Sequence, residues 1–305
     1  MIYTTIARNL GLSETYVRNI SISANHRYKV YTVPKRSGGR RVIAHPAKEL
    51  KVIQRWLVKE LFETLPVHQN ALGYRPGIGV GSIVQMHVGK RYFLRMDFVD
   101  FFESIRAKDI DHLLLKHWGS LPLQLPKADV PRIVHIVCKD GALTVGAPSS
   151  PSLSNAVMFD FDAEVKNICL ELGCTYSRYA DDLFFSTNAP RVLERVESFV
   201  LDLSSSLKSP RLKVNLKKTI HSSKKHRVRF LGLILTPAGG VSLGREKKRE
   251  VRSLVHRFEC DNLEPEMLAY LRGFLAFSVS VEPSFIRSLE QKYSQGTIQS
   301  IIRAS

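Results

Sequence analysis

The stretch CTYSRYADDLFFST, Cys174–Thr187, sets two adjacent aspartates, Asp181 and Asp182, inside a short apolar segment flanked by Tyr179 and Phe184. The pattern reads as a β-hairpin with the acids at its centre. Aspartate is depleted from strand interiors, and a carboxylate taken out of water costs free energy unless something neutralises it. Two neighbouring carboxylates add mutual repulsion, so a cation is wanted. A second apolar strand, RYFLRMDFVDFF at Arg91–Phe102, brings a third acid, Asp97, among Phe, Leu, Met and Val. The plain alternative for an Asp-Asp pair is a cap on an exposed turn. A third acid on another apolar strand points instead to divalent metal. Hard carboxylate oxygens suit Mg²⁺, which keeps water and takes phosphate oxygens as its other ligands. Two such ions, roughly 3.5–4 Å apart, clamp the attacking and leaving oxygens of an in-line phosphoryl displacement.

Outward from these strands, helices and strands mix without strict alternation. The first residues, to about 27, read as a helical cap carrying Ile6, Leu10, Val17 and Ile20. YKVYTVP at Tyr28–Pro34, a turn at Ser37–Gly39 and RRVIAHP at Arg40–Pro46 make a basic hairpin. A helix is expected over 47–65, then a Gly-rich loop, ALGYRPGIGVGS, at Ala71–Ser82. Helical material continues to about Cys138, interrupted by Pro122, Pro126 and Pro131, and the loop TVGAPSSP leads into a helix through LSNAVMFDFDAEVKNI. After the acidic hairpin come a helix near Val192–Leu207 and short strands at RLKVNL and VRFLGLIL. In REKKREVRSLVHRF, Val251, Leu254, Val255 and Phe258 recur at helical spacing. That amphipathic helix is expected to bury Val251 and Phe258 and to turn Lys247, Lys248 and Arg252 outward. The mixture predicts an α+β sheet domain followed by a small helical one.

Charge narrows the partner. Across 305 residues, 45 Lys and Arg against 28 Asp and Glu leave a formal +17, which attracts polyanions and nucleic acid first. Between Leu207 and Arg257, 15 basic residues face two acids, Glu246 and Glu250, so +13 is concentrated in one sixth of the chain. Clustering of this kind marks a binding surface. No large apolar helix face with Trp accompanies the charge, and no run approaches about 18 apolar residues, so no membrane partner is expected. The start, MIYTTIARNLGLSE, lacks a basic segment ahead of an apolar one. Cys138, Cys169, Cys174 and Cys260 form neither CxxC nor zinc spacing, which fits a reduced cytoplasmic protein. No GxxxxGK[ST] phosphate loop occurs.

YADD on a hairpin with an upstream DFxxFF strand resembles the palm motifs of reverse transcriptases. GAPSSPxxSN at Gly146–Asn155 is similar to their template- and nucleotide-contacting loop and helix. GYRPG at Gly73–Gly77 and VNLKKT at Val214–Thr219 match further blocks in order, so the resemblance covers residues 30–235. GREKKREVRSLVHRF followed by LRGFLAFSVSVEPSFIRSLEQKYS is similar to the thumb of bacterial retron reverse transcriptases. The resemblance implies a right-hand polymerase fold: a helical cap at 1–27, fingers and palm (antiparallel sheet plus helices) at 28–235, and a small basic helical thumb at 236–305. It also implies an RNA-directed DNA polymerase using two Mg²⁺ ions and dNTPs. Such an enzyme copies part of a structured noncoding RNA into branched multicopy single-stranded DNA, primed from an RNA 2′-OH. It acts in antiphage defence with a separately encoded effector protein.

Within the resemblance, Asp97, Asp181 and Asp182 match the catalytic carboxylates, and the backbone carbonyl of Phe98 is a further candidate metal ligand. Phe102 matches the bulky residue under the sugar that excludes a 2′-OH; ordinary core packing is its plain alternative. Arg41, then Arg40 and Lys35, match fingers cations that meet the triphosphate and neutralise charge developing there. Ala147 and Pro148 match positions that let backbone approach the nascent base pair, with Asn155 further along the helix. Arg75 is a candidate for template phosphate, and Lys217 or Lys218 for protonating the leaving pyrophosphate. Arg245, Lys247, Lys248 and Arg252 are candidates for phosphate contacts, which give affinity and salt dependence rather than base specificity.

The match departs in places. The retron NAxxH block aligns with IVQMH at Ile83–His87, keeping only His87, and the VTG block aligns with FLG at Phe230–Gly232, keeping only Gly232. Val145 stands where the loop before GAPSSP usually has Gln. These departures leave polymerase chemistry untouched and bear on branched priming. A lone histidine such as His87 is usually packed or hydrogen-bonded. Asp160 and Asp162 are expected as local ion-pair or hydrogen-bonding partners. Two alternatives stay open: another bacterial reverse transcriptase (defence-associated, group II intron-like or diversity-generating), or a polymerase-like fold that only binds RNA.

Overall fold

The computed structural model describes residues 1–35, 38–123, 125–236 and 238–303, so Ser37 of the expected turn lies outside them. Strands β1 (Tyr28–Pro34) and β2 (Arg40–Pro46) form the expected basic hairpin, in antiparallel register from Tyr28 opposite Pro46 to Pro34 opposite Arg40. A four-stranded antiparallel sheet follows. Its strands are β3 (Tyr92–Asp97), β4 (Thr175–Tyr179), β5 (Asp182–Thr187) and β6 (Ile220–Ser223), in the order β4-β5-β3-β6. Three short strands, β7 (Val228–Phe230), β8 (Leu233–Leu235) and β9 (Val241–Ser242), make a separate antiparallel sheet. Helices Arg245–Glu259, Pro265–Val281, Pro283–Tyr293 and Gln295–Arg303 complete the C-terminal lobe.

Strand side chains alternate between sheet faces, and here both faces are covered. Leu94, Met96, Tyr176, Leu183 and Phe185 join one apolar cluster with helices Ser150–Val157, Phe159–Glu171 and Val192–Ser206, through Leu153, Phe161, Val165 and Val196. Phe93 and Phe184 join a second cluster with Val228, Phe230, Leu233, Val251, Leu254, Leu275 and Leu289. Each such buried side chain contributes roughly 1.5–3 kcal/mol of transfer free energy. The second cluster takes in β7 and β8, so residues 228–235 pack with the C-terminal helices.

Four sequence expectations shift. The strand at Arg91–Phe102 ends at Asp97, and Phe101–Ser104 is a short helix behind Asp100 at φ 44°. The chain leaves the sheet there because Phe98 N–H bonds to the Asp181 carbonyl (3.2 Å) and Val99 N–H to that of Lys213 (2.8 Å); aspartate tolerates the left-handed turn that results. RLKVNL is no strand: it makes a single bridge, Val214 to Phe98, and a 3₁₀ turn at Leu216–Lys218, with β6 starting only at Ile220. The helix through LSNAVMFDFDAEVKNI is broken at Met158. The helix expected over 47–65 ends at Glu60, and a 3₁₀ turn follows at Phe62–Thr64. Among the described residues, no helix is long and apolar enough to cross a membrane.

Candidate active site

β4 and β5 are joined by a two-residue turn, Ala180–Asp181, with Tyr179 opposite Asp182. Ala180 sits at φ 56°, a left-handed conformation that costs a non-glycine residue roughly 1–2 kcal/mol. The carbonyl of Ala180 accepts from Arg178 Nη1 at 3.1 Å. Arg178 is fully buried beneath the turn, and its Nε and Nη2 donate to Asp162 Oδ1 and Oδ2 at 2.8 and 2.6 Å. Tyr176 donates its hydroxyl to Asp162 Oδ1 (2.6 Å), and Arg178 Nη1 also reaches Asn155 Oδ1 (3.2 Å). Asn155 Nδ2 in turn donates to the Gly73 carbonyl at 2.8 Å. Only glycine fits at 73, because a Cβ would stand 2.9 Å from the Ala180 nitrogen. The expected local roles of Asp162 and Asp160 hold, the latter pairing with Lys116 at 2.9 Å.

The β3–β5 register sets Asp97 opposite Asp182, and the Phe98 amide against the Asp181 carbonyl brings the third acid to the same edge. Asp97 is buried, and Lys218 Nζ lies 3.0 Å from both its carboxylate oxygens. Asp182 is gripped by Arg95, whose Nε and Nη2 reach Oδ1 at 3.0 and 2.8 Å. Burial, then the Asp182 and Asp97 charges, push the Asp181 carboxyl up to about 6. Burial also raises that of Asp182, against the opposing pull of Arg95. Arg95 was not singled out in the sequence. The available signal was its position two residues before Asp97, hence on the same face.

Among the described residues, no three His, Cys, Asp or Glu side chains close around one point, and Asp182 pairs with Arg95 through one carboxylate oxygen. A Mg²⁺ that takes one or two carboxylates and fills its shell with water and phosphate fits Asp97 and Asp181. The Lys218 ammonium astride Asp97 marks this edge as cation-seeking.

The fingers hairpin is tied to the GAPSSP loop through Ala44 N–H to the Val145 carbonyl (2.9 Å). Gly146, at φ 115°, packs where a Cβ would meet the Ala44 carbonyl at 2.9 Å. Lys35, Arg40 and Arg41 are exposed at the hairpin end, with Arg40 Nε donating to Thr32 Oγ1 (2.7 Å). Ala147 is buried, and Pro148 and Arg75 are half-buried. Phe102, also half-buried, packs on Phe101 and on Tyr74, at centroid distances of 5.4 and 6.5 Å. Tyr74 escaped the sequence reading. Burial, then Asp181 and Tyr179, push its hydroxyl up to about 12.

Lys217 and, in the thumb, Arg245 are exposed, but the outward display expected of Lys247, Lys248 and Arg252 is corrected. Lys247 donates to Glu250 and to the Tyr270 hydroxyl, both at 2.8 Å. Lys248 pairs with Glu282, and it and Arg252 lie over the Phe285 ring at 5.6 and 5.3 Å. The reason is that Glu282, at the junction of helices 265–281 and 283–293, and the Tyr270 and Phe285 rings of those helices lie over this face. Arg245 and Lys248 line a groove with Lys224, Lys225 and Arg227. His87 is fully buried, its two ring nitrogens each 2.8 Å from a serine hydroxyl, Ser186 and Ser177. Burial lowers its pKa to about 3, so it is neutral at physiological pH. Its ring centroid lies 5.1 Å from that of Phe230, so the two diverged retron blocks touch.

Acids at the edge of an antiparallel palm, between a basic hairpin and a helical thumb, define a right-hand nucleic-acid polymerase. The reverse transcriptase (RNA-dependent DNA polymerase) family matches residues 33–235. The retron Ec83 reverse transcriptase of Escherichia coli is 38% identical over 91% of this chain and 90% of its own. The retron Mx162 reverse transcriptase of Myxococcus xanthus is 32% identical over 92% of this chain and 64% of its own. The chain belongs to the reverse transcriptase family, among the retron enzymes, and is an RNA-directed DNA polymerase. Among solved structures, telomerase from Candida albicans with a fragment of telomeric RNA matches with TM-score 0.53 at 11% identity, over 91% of this chain and 56% of that one. Truncated apo telomerase from Candida tropicalis matches with TM-score 0.50 at 14% identity, over 70% and 54%. These two show the fold alone.

Proposed function

We propose that the protein reverse transcribes part of a cognate structured noncoding RNA into branched multicopy single-stranded DNA, primed from an RNA 2′-OH. It does so in the cytoplasm, in antiphage defence, alongside a separately encoded effector protein. The observation that carries the chemistry is the convergence of Asp97 and Asp181 on one sheet edge, with a lysine ammonium on Asp97. The kinship with retron enzymes carries the RNA and the product.

Asp97 and Asp181, with the Phe98 carbonyl as a further ligand, would hold two Mg²⁺ ions, whose chemistry would be charge stabilisation at the attacking and leaving oxygens. Asp182 fixes the hairpin edge through Arg95. Lys35, Arg40 and Arg41 neutralise the triphosphate, and Phe102 excludes a 2′-OH from the incoming sugar. Ala147 and Pro148 admit the nascent base pair, and Arg75 holds template phosphate. Lys218 moves from Asp97 to give a proton to the leaving pyrophosphate, and Lys217 contacts nucleic acid beside it. Arg245 meets phosphates directly. Lys247, Lys248 and Arg252 contact phosphates from the thumb face they share with Tyr270 and Phe285. The domain limits of this reading are a cap at 1–27, fingers and palm at 28–235 and thumb at 236–305.

The test is dNTP incorporation on a primed RNA template, together with isolation of small nucleic acids from cells. Asp181→Asn is expected to cut incorporation by about 10³-fold or more, as loss of several kcal/mol of metal-borne stabilisation requires. Branched, RNase-resistant DNA is expected to vanish with it. Normal extension without any branched DNA would sink 2′-OH priming and spare the polymerase.

A further inference from the structure

We propose that Tyr74 is a second specificity-determining residue of the nucleotide pocket, discriminating deoxyribose from ribose jointly with Phe102. This rests on the polymerase reading above. The starting observation is backbone: Tyr74 lies at φ 63°, where a bulky side chain is an outlier. Such strain persists only where the surroundings over-determine it, and it concentrates at functional sites. The surroundings here are explicit. Leu72 and Gly73 both direct their N–H groups to the Arg178 carbonyl, at 2.8 and 3.4 Å, and the Gly73 carbonyl accepts from Asn155. Gly73 itself is pressed against the Ala180 nitrogen. The peptide entering Tyr74 is therefore fastened to the catalytic hairpin, and the left-handed turn sends the ring off in the direction of Phe102.

That ring sits 5.8 Å from Tyr179 and 6.5 Å from Phe102, yet Tyr74 remains 47% exposed. One part of it is packed and the rest is open. Its electrostatic neighbours are Asp181 and Arg41, one from the catalytic turn and one from the fingers hairpin. Tyr74 thus lies within electrostatic reach of Asp181 and of Arg41, beside the residue that matches the sugar gate. Phe102 also packs against Phe101, at 5.4 Å.

Steric exclusion works only if the excluding ring cannot yield. A Phe102 ring packed by two aromatics, Phe101 and Tyr74, has fewer rotamers to escape into, whereas one with a gap at Tyr74 can swing and admit an extra hydroxyl. A binding site typically discriminates a small group by about 10–200-fold. Loss of the Tyr74 buttress, with Phe102 still present, is expected at the low end of that range.

The experiment compares kcat/KM for a dNTP and the matching rNTP on a primed RNA template in wild type, Tyr74→Ala, Tyr74→Phe and Phe102→Ala. The rNTP-to-dNTP ratio is unaffected by the fraction of folded enzyme, so a merely structural role would not move it. Tyr74→Ala is expected to raise the ratio about 10-fold, and Tyr74→Phe to restore the wild-type ratio. Tyr74→Gly, which removes the ring without backbone strain, should match Tyr74→Ala. An unchanged ratio in both Tyr74→Ala and Tyr74→Gly, while Phe102→Ala shifts it, overturns the inference and leaves the polymerase standing. A wild-type enzyme incorporating no dNTP overturns both.

Discussion

The palm sheet around the Ala180–Asp181 turn carries ion pairs on both of its faces, and they are built differently. On the inner face Arg178 and Asp162 have no exposure at all, and Tyr176, Asn155 and the Ala180 carbonyl satisfy the polar atoms they leave over. On the outer face Arg95 and Lys218 are 36% and 44% exposed while pairing with Asp182 and Asp97. The chemistry is similar and the surroundings decide the use. A buried, fully bonded pair fixes geometry and cannot exchange partners; a half-exposed pair can surrender its carboxylate to another cation. One strand alternation separates scaffold from reactive edge.

The largest expected effect breaks or upholds this contrast directly. Asp162→Asn leaves Arg178 buried and unpaired, and is expected to cost about 3–5 kcal/mol in chemical denaturation. Asp182→Asn, at the outer pair, should cost about 1 kcal/mol or less. Equal losses would erase the distinction. Substituting Asp162 and Arg178 together with apolar residues of similar volume should recover stability, yet not the turnover rate, because the Ala180 carbonyl loses its donor.

A smaller effect concerns proton linkage at the outer edge. The folded-state value for Asp181, about 6, lies above its ordinary 3.8. The folded protein therefore binds this proton more tightly, and the associated stability is fully present below pH 3.8 and lost as pH rises through 6. In metal-free buffer, the melting temperature of Asp181→Asn should gain on wild type between about pH 4 and 6, the window between those two values. Mg²⁺ should then raise the wild-type melt preferentially. Parallel pH profiles for the two proteins would show that Asp181 is not crowded by its neighbours.

The smallest effect sorts the thumb cations. Arg245→Ala should reduce the salt slope of duplex binding by about one. Lys248→Ala, whose ammonium is held by Glu282, should change it less. A reversed order would mean that the lobe rearranges on binding.

How much of this was legible follows from range. Asp97, Asp181 and Asp182 stood out because acid on an apolar strand violates local propensity, a signal contained in a few residues. The α+β mixture and the basic lobe were legible for the same reason. Arg95 and Lys218 were legible as residues but not as partners, since the β3–β5 and β3–β6 registers that seat them join segments far apart in sequence. Periodicity identified the apolar stripe of helix Arg245–Glu259, but nothing local told that Glu282 and Phe285 would cover the adjoining cations. Tyr74 was hidden by its loop: GYRPG has no period, and a positive φ at a tyrosine is set by what surrounds it.

The contact between His87 and Phe230 has a practical consequence for exchanging parts between relatives. His87 bridges Ser177 and Ser186 on the palm strands and packs its ring on β7. A chimera joined at 235/236 would keep β7 and β8 from one parent beneath helices from the other, splitting the apolar cluster that contains Val228, Phe230 and Leu254. Joining ahead of Val228 keeps β7, β8 and the C-terminal helices from one parent, provided the palm side chains that pack on them, Val84, His87, Phe93 and Phe184, travel with it. The transplantable module is thus discontinuous in sequence: a C-terminal lobe plus four side chains from upstream of the join.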